Sequence, residues 1–126
     1  MEWIHHSLEN GEEVTLFTDY TFSPIYTKEL ANIIMKLVNL DFSGIVNVGS
    51  PGTCTKYEFG MRLAEIFGFD QSLIKKGTIK DHKFKALRFN DLSLPIEKID
   101  GLDLYIPDFQ SSIKSLYNDR HEHLAS

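Results

Sequence analysis

Apolar residues recur along the chain with two different periods, and each period predicts an element. From Glu2 to Asn10, Ile4 and Leu8 stand four apart and Gly11 follows, the pattern of a short helix with its stop. Glu12–Phe17 alternates, with Val14 and Leu16 on one side, and predicts a strand. Asp19–Tyr26 is aromatic, contains Pro24 and lacks a helical period, so it reads as an ordered loop. Over Lys28–Leu40, residues Leu30, Ile33, Ile34, Leu37 and Val38 form one buried helical face, with Thr27 as the N-cap. Asp41–Gly44 has turn chemistry, and Ile45–Val48 follows as a short strand.

The second half begins with a capping box. Thr55 precedes Glu58 by three residues, so each side chain can satisfy a free N–H at a helix start. Phe59, Leu63, Ile66 and Phe67 supply that helix's apolar face, and Gly68 ends it. Asp70–Lys76 reads as one or two helical turns, Gly77–Lys80 as a strand, and Asp81–Asn90 as a polar extended stretch. Pro95–Asp100 is a short helix. Pro107–Asp119 is a last helix with Phe109, Ile113, Leu116 and Tyr117 on one side, and residues 120–126 are expected to fray. About three strands beside four or five helices define an α/β class with an α+β-like look. Three short strands make a poor sheet on their own. The chain therefore reads as a single lobe, residues 1–126, of a larger fold, without internal repeat or linker.

Composition narrows the function classes. With 42% hydrophobic and 25% charged residues among 126, disorder and low-complexity assembly are excluded. A net charge of -5 argues against broad binding to nucleic acid or anionic membrane. The most apolar stretch, Leu30–Leu40, is broken by Asn32, Lys36 and Asn39 and cannot span a bilayer. Cys54 alone allows neither an internal disulfide nor a multi-cysteine zinc cluster, and no signal peptide is visible at Met1–His6, so a cytoplasmic location is expected.

Candidate chemistry is sparse. Val46–Gly52 before a helix is a strand, glycine loop and helix start, the layout of an anion site. Gly49 and Gly52 lack the third glycine of a dinucleotide fingerprint, however, so a structural turn is the better reading. Cys54 reads as a small packed residue rather than a nucleophile, and His121 and His123 as solvated. No G-x-S-x-G elbow or acid–base carboxylate pair is present. The cationic stretch Lys75, Lys76, Lys80, Lys83, Lys85, Arg88 reads either as a solvated face or as a contact for a small polyanion such as a diphosphate, for which Arg has the suitable donor fork.

Four ordered segments carry a resemblance. Asp19–Ala31 (DYTFSPIYTKELA) resembles the D-Q-x-G-x-P-T and L-A segment of dTDP-4-dehydrorhamnose reductases, members of the extended short-chain dehydrogenase family. Gly44–Gly49 resembles that family's next strand, Lys56–Phe59 its following helix start, and Arg88–Leu94 (RFNDLSL) its R-P-x-N-S-x-L segment. The resemblance runs from about Glu2 to Tyr117 and covers the C-terminal, substrate-binding half of such an enzyme. The half that holds the glycine-rich cofactor loop and the catalytic Tyr-x-x-x-Lys has no counterpart here. Four residues beyond Tyr20, Tyr26, Tyr57, Tyr105 and Tyr117 stand Pro24, Leu30, Met61, Phe109 and His121, none of them lysine.

The resemblance implies the substrate-binding portion of an NADPH-dependent reductase of 4-keto dTDP-sugars, not catalytic alone. It implies that Arg88 faces the diphosphate, Asp91 the nucleoside sugar, and Tyr20 the substrate cleft. It implies no catalytic, cofactor or metal residue in this chain, with NADP(H) expected for the intact enzyme. The implied partners are a dTDP-sugar and the absent cofactor domain, whose sheet would accept Ile45–Val48; without it, self-association through that open edge is expected. Two other readings stay open: a non-catalytic binding or regulatory module of the same fold, and an unrelated small interaction domain.

Overall fold

A computed structural model describes residues 1–125, and the side chains of 1–124. In chain order the elements are α1 (Glu2–Glu9), β1 (Val14–Phe17), β2 (Thr21–Phe22), α2 (Thr27–Asn39), β3 (Cys54–Thr55), α3 (Lys56–Phe67), β4 (Ile74–Gly77), β5 (Asp91–Leu92), α4 (Glu97–Asp100) and α5 (Phe109–Ala125), with a 3₁₀ turn at Gln71–Leu73. The mixed α/β class is as expected, with more and shorter strands. The chain divides into two compact units: Met1–Phe22 with Cys54–Leu92, and Ser23–Thr53 with the residues from Ser93 on.

The first unit is built around a parallel pair. Val14↔Ile74 through Phe17↔Gly77 places β1 beside β4. Val14 and Leu16 are buried and Thr15 is exposed, the alternation read from the sequence. Helix α3 packs on both strands, and α1 packs on α3 and β1. Ile4, Leu8, Leu16, Leu63 and Ala64 close the core, each large one contributing about 1.5–3 kcal/mol by burial. Gly60 lets α3 approach β1, because a Cβ there would lie 2.1 Å from Leu16 Cδ1. The α3 capping box is present: Glu58 N–H donates to Thr55 Oγ1 at 3.0 Å, and Thr55 N–H to Glu58 Oε2 at 2.7 Å. Gly68 closes α3 in the left-handed region at φ 73, a conformation that disfavours other side chains.

Two expectations in this unit are corrected. Asp70–Lys76 makes only the 3₁₀ turn before entering β4, and the strand foreseen at Gly77–Lys80 lies three residues earlier. Pairing with β1 and burial of Ile74 set that register, while Thr78 and Asp81 close a turn by hydrogen-bonding each other. Asp19–Tyr26 is not all loop, since Thr21–Phe22 is the middle strand of a second sheet ordered β3-β2-β5.

The second unit packs Ile33, Ile99 and Ile106 at its centre, with Leu37, Val46, Val48 and Leu104 around them. Three corrections fall here. Thr27 is the first residue of α2 rather than its cap; Tyr26 is the N-cap, and its N–H donates to Ser112 Oγ at 3.4 Å. The predicted single buried face of α2 is split: Ile33 is buried, but Ile34 and Val38 are 48% and 65% exposed. Ile45–Val48 is not a strand, because no partner strand lies beside it among the described residues; Val46 and Val48 turn inward and Ile45 is 85% exposed. Residues 120–125 continue α5 instead of fraying. Asp119 is tied to Lys28 at 2.7 Å, and the His121 ring stacks on Tyr117 at 3.9 Å.

Candidate functional site

Parts of three of the four segments singled out in the sequence lie on or beside one small sheet. Strand β2 lies between β3 and β5, with Thr21 opposite both Thr55 and Asp91. Thr21 N–H donates to the Asn90 carbonyl at 2.8 Å, and Lys56 N–H to the Tyr20 carbonyl at 3.1 Å. Segments 19–22, 54–59 and 88–92, far apart in sequence, are thereby fixed to one another by backbone hydrogen bonds. The fourth segment, Gly44–Gly49, belongs to the second unit.

Of the three predicted site residues, Tyr20 and Asp91 share this sheet region. Tyr20 is half-buried, and its ring lies 6.3 Å from that of Phe22. Asp91 is exposed, and its Oδ1 accepts from the Thr21 hydroxyl at 3.1 Å, which ties the carboxylate across the strand pair to β2. Arg88 is exposed three residues before Asp91 and is placed by a separate contact, its guanidinium 4.6 Å from the Phe84 ring centroid. Phe84 in turn meets Phe17 and His82 at 6.0 and 5.2 Å. The cationic stretch does not form one face. Lys75 and Lys76 alternate along β4, so they point oppositely; Lys75 pairs with Glu13 at 3.4 Å, and Lys76 lies over the Tyr57 ring.

Sequence reasoning missed Lys56. Its ammonium sits 4.1 Å from the Phe22 centroid and 5.3 Å from that of Tyr20, with Met1 Sδ at 3.7 Å. Burial is the main influence on it and pulls its pKa down. The available signal was its position, the first helical residue after Thr55, but only the β2–β3 pairing brings it to the aromatic rings.

The residues present do not fit an NADP(H) phosphate cradle. At Gly49 the space a close-approaching phosphate would need is filled by the protein: a Cβ there would lie 3.1 Å from Ser23 Cβ and 3.3 Å from Leu94 Cδ1. At the start of α3 the Glu58 N–H donates to Thr55, the Thr55 N–H to Glu58 and the Lys56 N–H to the Tyr20 carbonyl, which leaves little for a phosphate. Cys54 is 2% exposed, and burial pushes its thiol up to about 12, so it stays protonated and a poor nucleophile at neutral pH. Among the described residues no group of three or more His, Cys, Asp or Glu side chains could hold a metal ion, and no helix is long and apolar enough to cross a membrane.

Comparison with known proteins defines the class. No protein-family model matches the chain. It is 29% identical over 100 residues to the probable low-salt glycan biosynthesis reductase Agl14 of Haloferax volcanii, a stretch covering 79% of this chain and 33% of that protein. Among solved structures, the dTDP-4-dehydrorhamnose reductase of Clostridium acetobutylicum superposes with a TM-score of 0.85 at 16% identity, covering 95% of this chain and 43% of that one. The enzyme of the same name from Bacillus anthracis, solved with NADP, superposes with a TM-score of 0.84 at 17% identity, covering 94% and 42%. The mixed α/β fold matches part of the fold of these solved reductases. More narrowly, it is the fold of part of the dTDP-4-dehydrorhamnose reductases, the resemblance first read in the four segments. The chain spans about a third of the curated relative and about two fifths of these solved chains.

Proposed function

We propose that this chain supplies the substrate-binding portion of a reductase acting on a 4-keto sugar carried by dTDP, with NADP(H) and the catalytic proton donor held by residues outside it. The observation that carries this reading is the meeting of segments 19–22, 54–59 and 88–92 on the β3-β2-β5 sheet. They contain parts of Asp19–Ala31, Lys56–Phe59 and Arg88–Leu94, three segments whose resemblance is to the same substrate lobe. In this reading Arg88 donates to the diphosphate through its fork of N–H groups. Asp91, steadied by Thr21, accepts from hydroxyls of the nucleoside sugar, and Tyr20 lines the cleft beside the hexose. Ile45–Val48 is the edge that would join the sheet of a cofactor domain, and its exposed Ile45 is consistent with that role.

The test is a titration of the folded chain with dTDP and with thymidine, followed by NMR. An incomplete site should bind dTDP with Kd on the order of 1 mM, roughly -4 kcal/mol. Arg88→Ala should abolish detectable binding, and thymidine should bind no better than that variant binds dTDP. Saturable dTDP binding unaffected by Arg88→Ala, or no shift of β2 and β5 signals at high dTDP, would overturn the assignment.

A further inference from the structure

Lys56 presents a charge problem that the fold does not solve by itself. Its ammonium is half-buried, yet no carboxylate pairs with it among the described residues; its neighbours are two aromatic rings, a thioether and the protonated Cys54. An ammonium has three donors, and ring faces accept only its charge. The Met1 thioether at 3.7 Å is a weak acceptor. Glu58, the carboxylate two residues on, is committed to the α3 cap. Arg62, a turn further along α3, is likewise engaged, with Glu65. A partly desolvated cation held over ring faces, with donors to spare, gains further from an anion placed beside it.

We infer that Lys56 is a second anion-recognising residue of the Tyr20 cleft, its ammonium donating to an anionic phosphate oxygen of the bound ligand. The inference rests on the nucleotide-sugar reading for the identity of that ligand and adds a residue it did not include. Two features favour a ligand contact over a purely packing role. Helix α3 begins at Lys56 directly after β3, so the side chain is anchored at its root by the Lys56 N–H to Tyr20 carbonyl bond. The rings of Tyr20 and Phe22, alternate residues that project to one face, then hold the ammonium on the Tyr20 side of the strand, the face opposite Thr21 and Asp91. Together with Arg88, the cleft would carry two cations of different kinds: a planar fork and a mobile point charge.

The experiment uses the intact chain labelled at lysine Cε and Nζ, titrated with inorganic pyrophosphate, dTDP and thymidine, with Lys56→Arg identifying the signal. Pyrophosphate and dTDP should shift the Lys56 signals saturably and raise the pKa of the ammonium, and thymidine should not. Lys56→Met, which keeps the aliphatic packing, should weaken dTDP binding roughly tenfold or more, the scale of a charge-assisted hydrogen bond, while Lys56→Arg retains most of it. If dTDP moves β5 signals and leaves Lys56 silent, the inference falls and the nucleotide-sugar reading stands. If pyrophosphate shifts Lys56 but dTDP binds no more tightly than pyrophosphate, the anion contact stands and the nucleotide reading falls. If neither ligand shifts Lys56, the inference is overturned.

Discussion

Cys54 and Lys56 flank the α3 cap and respond to burial in opposite ways, each toward its neutral form. For Cys54 this couples to stability. Its pKa rises from 9.0 to about 12 on folding. Between those values the unfolded chain has released the thiol proton and the folded chain has not, so stability falls as pH rises. Urea unfolding of wild type and Cys54→Ala at pH 8 and pH 10 should show wild type losing about 1 kcal/mol more than the variant on going to pH 10. An unchanged gap between the two proteins would refute this. The packed role of Cys54 was legible because a lone cysteine without a nearby His or Asn has little else to do. Lys56 was not legible as a ligand contact, since nothing local distinguishes a lysine over aromatic rings from a solvated one.

Helix α3 is the element most completely written in its own residues. Thr55, Glu58 and Gly68 act within one turn of the helix ends, so their roles need no tertiary information. Thr55→Ala should cost about 1 kcal/mol, read as a drop of a few degrees in Tm, with Thr55→Ser nearly neutral. Equal stability of Thr55→Ala and wild type would remove the cap from the account. Helix α2 shows the opposite case. Its periodicity predicted the helix but merged two faces, and only the packing of Ile33 against Ile99 and Ile106 selected one. Strands β2 and β5, two residues each, are too short for alternation to register, so the sheet that carries the candidate site was invisible as strands and visible only as motifs.

At the scale of the whole molecule, apolar surface is left uncovered on the second unit. Ile34, Met35 and Val38 on α2 are 48%, 60% and 65% exposed, and Ile45 is 85% exposed on a segment outside any strand. Such a combination favours association. The isolated chain should self-associate with rising concentration in light scattering, and Val38→Glu with Ile45→Lys should return it to a monomer. A monodisperse wild-type monomer at high concentration would count against an open edge.

The sequence by itself determined the helices, the α3 cap, the β1 alternation and the four segments that resemble a sugar-nucleotide reductase. Those features rest on neighbours within a turn or on a period that a single element expresses. Tertiary structure alone decided the register of β4 against β1, the division into two units, the inward face of α2, and the placing of Tyr20 with Lys56 on one face of β2 and Asp91 on the other. Each of these depends on a partner more than twenty residues away in sequence. A residue's own propensity carries no record of such a partner, and the free energy that selects it comes from burial and pairing once the chain has closed on itself.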